Sequence, residues 1–123
     1  MDTDKKNALI EKGVSYDEAL HRFLGMEEMY ERFLLQYASD ESMGNIIQGL
    51  NDNDIVAVFK AAHGMKGLAG NLGITSVYEL ANSVTEMTRG KESMDEVDRD
   101  LLADSIEELR KADSDISAII CEE

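Results

Sequence analysis

Asp54-Ile55-Val56-Ala57-Val58-Phe59-Lys60-Ala61-Ala62-His63-Gly64-Met65-Lys66-Gly67-Leu68-Ala69-Gly70-Asn71-Leu72-Gly73 has the marks of an amphipathic helix with its own start and stop. Ile55, Val58, Phe59, Ala62, Met65, Ala69 and Leu72 recur at spacings of three and four, which draws one apolar stripe along a helix. The cluster Asn51-Asp52-Asn53-Asp54 before it is rich in residues whose side chains cap helix N-termini. Gly73 after it suits the left-handed position that closes a helix.

The same pattern extends in both directions. Leu9 and Ile10 are the large apolar groups of a short first segment over residues 2–11, ended by Gly13. Ser15-Tyr16-Asp17-Glu18 has the capping-box pattern before Ala19, Leu20 and Phe23, and Gly25 breaks that segment. Met29, Tyr30, Phe33, Leu34 and Tyr37 carry the next segment. A joint at Ser39–Ser42 follows, and helical spacing resumes with Met43, Ile46, Ile47 and Leu50. Downstream, Ser76 and Ser93 begin two more capping boxes, the second opening a last helix that uses Val97, Leu101, Ile106, Leu109, Ile116 and Ile119. No segment alternates with period two, and the chain has no proline to interrupt a helix. The expected fold is all-α: an antiparallel up-down four-helix bundle with one or two short N-terminal helices, forming a single domain over 1–123 with its core at about 14–120.

Charge narrows the partners. The 26 acidic residues outnumber the 12 basic ones and leave a net charge of −14, which repels phosphate backbones and anionic lipid. Nucleic acid and membrane are therefore excluded as expected partners, and a soluble monomer is expected. The lone Cys121 allows no intrachain disulfide, and no apolar run approaches bilayer length, so the expected location is the cytoplasm.

At about 100° per residue, His63 lies roughly 120° from the centre of the apolar stripe, outside the buried seam. Val56, Phe59, Lys60, Lys66, Gly67 and Gly70 fall within about 60° of it, and Phe59 is placed to brace its ring. Gly64, Gly67 and Gly70 each cost about 1 kcal/mol of helix propensity against alanine, so a bare surface must bring some gain. That gain is either the approach of a partner domain or the packing of a neighbouring helix; Gly67 and Gly70, which project toward His63, are the expected small surface for partner approach. An unperturbed imidazole is largely neutral and nucleophilic near neutral pH, and Lys66 adds a mobile cation beside it. His21 has no such company. Glu27, Glu28 and Glu31 could suggest a metal-dependent bundle enzyme, but they lack the Glu-x-x-His pairs of bundle metal sites and fit a solvated acidic face.

His63-x-x-Lys66-Gly67 followed by Asn71-Leu72-Gly73 resembles the signature of histidine-containing phosphotransfer (HPt) domains. Phe59-Lys60-Ala61-Ala62 and Tyr78-Glu79-Leu80-Ala81 add to the likeness, which spans about residues 10–120. Leu68 departs from it, standing where many members carry Ser or Ala. So does Gly70, where a slightly larger residue is common. The resemblance implies a relay that accepts a phosphoryl group from one receiver-domain aspartate and passes it to another. It implies that His63 is phosphorylated, with Nε2 as the reacting atom, that Lys66 neutralises phosphoryl charge, that Gly67 is the small residue beneath the imidazole and that Gly73 ends the helix. It implies response-regulator receivers as partners, with a hybrid histidine kinase as a further one, and Mg²⁺ supplied by the receiver rather than any cofactor of this chain. Lys60, with Leu24 and Met26 beside the Gly25 break, are the expected docking residues. No nucleotide-binding loop is present, so an autonomous kinase is not expected. The alternative within the same fold is a docking module that binds or inhibits a receiver or kinase without being phosphorylated.

Overall fold

A computed structural model describes residues 1–122, and all regular structure in them is helical. The helices are α1 (Thr3–Glu11), α2 (Tyr16–Arg22), α3 (Glu27–Ala38), α4 (Ser42–Asn51), α5 (Ile55–Asn71), α6 (Thr75–Thr88) and α7 (Arg99–Ile120), with a 3-10 turn at Met94–Glu96. The expected bundle is present. α5 packs between α4 and α6, α7 closes against α6, α3 and α4, and the short α1 packs against α7 and α2.

The bundle forms because each apolar stripe finds its counterpart. Ile55, Val58, Ala62, Met65 and Ala69 of α5 are buried in one core with Leu34, Ile46, Val77, Val84, Leu102, Leu109 and Ile116. Leu9 is fully buried in the same core, so the core begins earlier than residue 14, the expected boundary. Glu123 lies outside the described residues.

Helix ends follow the capping chemistry with informative departures. Asp54 accepts a hydrogen bond from the Ala57 amide at 3.1 Å and starts α5. At its far end Gly73 adopts φ +71°, the Ile74 amide donates to Ala69 O and the Gly73 amide donates to Gly70 O, a Schellman closure. α2 closes in the same way one residue earlier than Gly25 suggests. Leu24 itself takes the left-handed position at φ +56°, with the Gly25 amide donating to Leu20 O.

Three expected capping boxes behave differently from their sequence pattern. Ser15 makes no cap: its amide donates to Gly73 O at 2.7 Å and its hydroxyl pairs with Thr75 Oγ1. Ser76 lies inside α6, which starts at Thr75, and its hydroxyl donates to Lys12 O at 2.8 Å. Ser93 caps only the 3-10 turn; α7 begins at Arg99, where Asp98 accepts from the Leu101 amide, and Val97 stays extended outside the helix. In the first two cases a tertiary partner, the crossing of the N-terminal arm over the α5–α6 joint, captures the hydroxyl that a local cap would use.

Candidate functional site

His63 stands exposed in the middle of α5, on the flank that faces away from the core. Its ring stacks on Phe59, one turn earlier, with centroids 5.6 Å apart and planes 23° from parallel. Phe59 is only partly covered, which fits its place at the border between core stripe and flank. On the α6 side of the same flank lie two cations held against aromatic rings. Lys66 Nζ is 6.0 Å from the centre of the Tyr78 ring, and the Arg89 guanidinium is 5.4 Å from the centre of the Phe59 ring.

The glycines of α5 divide by what surrounds them. A Cβ on Gly64 or Gly67 would meet nothing within 4 Å, so the surface beside His63 is bare and open. A Cβ on Gly70 would come within 3.1 Å of the Tyr78 ring. The space at Gly70 is thus used inside the bundle, by α6, and is not part of the open patch as expected. This also accounts for a glycine at that position, since a larger residue would have to displace the ring that carries Lys66.

The C-terminal end of α5 is pinned by groups from the N-terminal third of the chain. Arg22 Nη1 donates to Gly70 O at 2.8 Å and to Asn71 O at 3.3 Å, placing a cation on the negative end of the helix. The buried Tyr30 hydroxyl donates to Leu72 O at 2.6 Å. Gly73 has no room for a side chain, since a Cβ there would meet Ala19 Cβ at 2.7 Å and Ser15 O at 2.9 Å. Neither Arg22 nor Tyr30 stands out in the sequence as a partner of the helix that bears His63. Their carbonyl acceptors lie 48 and 42 residues away.

These contacts fix the element that carries the imidazole while leaving the imidazole itself free. The Hpt domain family model matches residues 28–112. This chain belongs to the Hpt domain family. No curated protein and no solved structure matches it. Membership gives this Hpt domain a phosphotransfer-type role in two-component signalling, as a phosphocarrier module that works with receiver domains and histidine kinases.

The matched span contains His63, Lys66, Gly67 and the Phe59 brace, whereas α1, α2 and Arg22 precede it. Of the expected docking residues, Leu24 is 87% exposed and Met26 49%, both in the α2–α3 joint. Lys60 is exposed on α5 one turn before His63, in the groove shared with Gln48 and Asp52 of the α4 side. Two of the three acidic residues of α3 have partners, and Glu28 is exposed. Glu27 accepts from the Tyr16 hydroxyl at 3.1 Å, and Glu27 and Glu31 both pair with the Met1 ammonium. His21 and Cys121 are exposed. Among the described residues no helix is long and apolar enough to cross a membrane.

Proposed function

We propose that this Hpt domain relays a phosphoryl group between receiver-domain aspartates through His63. The observation that carries the reading is the exposed imidazole stacked on Phe59, with open helix surface at Gly64 and Gly67 beside it. An imidazole nitrogen attacks the phosphorus of a receiver aspartyl phosphate in line with the leaving oxygen. The N–P bond forms as the P–O bond breaks, and the electron pair leaves on the aspartate carboxylate. The reverse sequence delivers the group to a second receiver.

Lys66 is the mobile charge that follows the equatorial oxygens, released from the Tyr78 ring as they arrive. Gly67 gives the receiver clearance to bring its aspartate to the imidazole. Mg²⁺ belongs to the receiver pocket. Leu24, Met26 and Lys60 extend the contact surface beyond the imidazole. The domain acts as a monomer in the cytoplasm and does not turn over ATP.

Incubation with a phosphorylated receiver tests the relay. The expected product is an acid-labile phosphohistidine that disappears in His63→Gln. Wild-type protein left unlabelled while a control carrier is labelled would overturn it. Intact signalling output and receiver binding in His63→Gln would show the docking module instead.

A further inference from the structure

We infer that Glu86 and Arg89 of α6 form an exchangeable counter-charge for His63. In the free protein Glu86 holds the Arg89 guanidinium, and phosphorylation of His63 draws that guanidinium onto the phosphoryl oxygens. The inference rests on the carrier reading of His63 and adds a positioning residue, Glu86, and a charge-stabilising one, Arg89.

The geometry places Arg89 at the site without a hydrogen bond to His63. Arg89 Nε donates to both Glu86 carboxylate oxygens at 3.2 and 3.3 Å, and Nη2 donates to Oε1 at 3.0 Å. The same guanidinium rests against Phe59, the ring on which His63 is stacked. Phe59 is thus common to the cation and the imidazole. The Glu86 carboxyl is held below the usual carboxylate range, chiefly by the Arg89 hydrogen bonds, and the charges of Lys66 and His63 act in the same direction. The acid on α6 therefore feels all three basic groups of the flank.

Phosphorylation reverses the balance at this point. A phosphoryl group carries about −1.5 to −2 charges at neutral pH and offers three acceptor oxygens. Placed on His63, it repels Glu86 and competes for the same guanidinium with more charge and a matching bidentate geometry. The Glu86–Arg89 pair is exposed on both sides, so it is weak and easily broken. Arg89 is the C-cap of α6, followed by Gly90 at φ +71°, and its long side chain can swing without disturbing the helix.

The test uses phosphoramidate, a donor that labels histidine without a receiver. The imidazole lone pair forms the N–P bond, and ammonia leaves with the electrons of the donor P–N bond. The ³¹P signal of the labelled protein is then titrated against pH. Removing a nearby cation disfavours the dianion, so Arg89→Ala is expected to raise the phosphoryl midpoint by about half a unit or more. Glu86→Gln is expected to lower it, and Arg89→Lys to restore part of the loss. The Arg89 Nε–H resonance of wild type is expected to shift on labelling.

A merely structural role would change the melting temperature and leave the ³¹P midpoint where it is. Labelled His63 with the same midpoint in wild type, Arg89→Ala and Glu86→Gln would overturn the exchange while leaving the relay intact. Labelling by phosphoramidate but not by a phosphorylated receiver would remove the relay, and the exchange would then be judged on the midpoints alone. Failure of both donors would remove both.

Discussion

Phe59 and His63 stack across one turn of α5, and the benzyl ring is the only aromatic surface against the imidazole among the described residues. Two β-carbons four residues apart on a helix stand on the same face, so the backbone alone brings the rings together. The two ring planes lie 23° apart, and His63 remains exposed. An aromatic pair of this kind contributes about 0.5–1.5 kcal/mol beyond its buried area. If that energy orients the nucleophile, Phe59→Ala lowers kcat/KM for transfer from a receiver by roughly 2- to 12-fold. Stopped-flow or quench kinetics with a phosphorylated receiver measure it, and an unchanged rate in a folded Phe59→Ala protein would show that the stack does not orient the ring.

Gly67 separates stability from function. Its surroundings are open, so Gly67→Ala meets no steric resistance and is expected to stabilise the fold by up to about 1 kcal/mol through helix propensity. The same methyl narrows the clearance beside His63, and transfer from a receiver is expected to slow, more so in Gly67→Gln. Gly73→Ala is the opposite case. Positive φ and contacts of 2.7 and 2.9 Å predict a loss of about 1–3 kcal/mol with no direct effect at the imidazole. Urea melts and transfer rates on the three variants test the separation.

Leu24 combines a left-handed backbone with an 87% exposed side chain. A non-glycine residue in this conformation costs about 1–2 kcal/mol, and nothing in the packing of the free domain repays it. Leu24→Gly is therefore expected to stabilise the domain while weakening receiver binding. Thermal melts and titration calorimetry check the two signs. Unchanged affinity would remove Leu24 from the docking surface.

Tyr30 holds the end of α5 through a buried hydroxyl. Tyr30→Phe keeps the ring packed against Tyr16 and Phe23 but leaves the Leu72 carbonyl without this partner. The expected cost is about 1–3 kcal/mol in chemical denaturation. Amide exchange at Gly73 and Ile74 is expected to accelerate more than exchange in α7, because the lost bond is local.

Asp113 of α7 accepts a hydrogen bond from Tyr37 of α3, and burial raises its carboxyl above the usual range, with the Asp40 charge acting the same way and the Tyr37 bond opposing. A raised folded-state value means that the folded protein binds the proton more tightly than the unfolded chain. Stability from this group is therefore greatest in acid and falls as pH rises through the window between the unfolded carboxylate value, about 4, and the raised folded one. Asp113→Asn keeps an acceptor for Tyr37 and removes the buried charge. It is expected to melt higher than wild type at pH 7, with the difference vanishing below about pH 4. A constant difference across that range would assign the effect to packing rather than ionisation.

Much of this organisation is local and could be read along the chain. The stripe Ile55, Val58, Ala62, Met65 and Ala69 is buried, and His63, about a third of a turn away, is exposed. Both follow from helix periodicity, which needs only neighbouring residues. Gly73 closes α5 for the same reason, since a left-handed residue can be anticipated wherever glycine follows an apolar period.

Contacts between distant segments were decided by the tertiary structure. Spacing could not separate a glycine open to a partner from one filled by a neighbouring helix. Tyr78 of α6 settles this by covering Gly70 and leaving Gly67 bare. Ser15 and Ser76 have the local chemistry of caps, yet their hydroxyls go to Thr75 and Lys12 because the N-terminal arm crosses the α5–α6 joint. Arg22 at the end of α5, and the seat of Arg89 on the Phe59 ring, have no signature in one dimension, whereas the pairing of Arg89 with Glu86 three residues earlier does. Periodicity determines which side of a helix faces outward. Which charges and rings come to stand there depends on how separate helices pack, and that energy exists only in the folded chain.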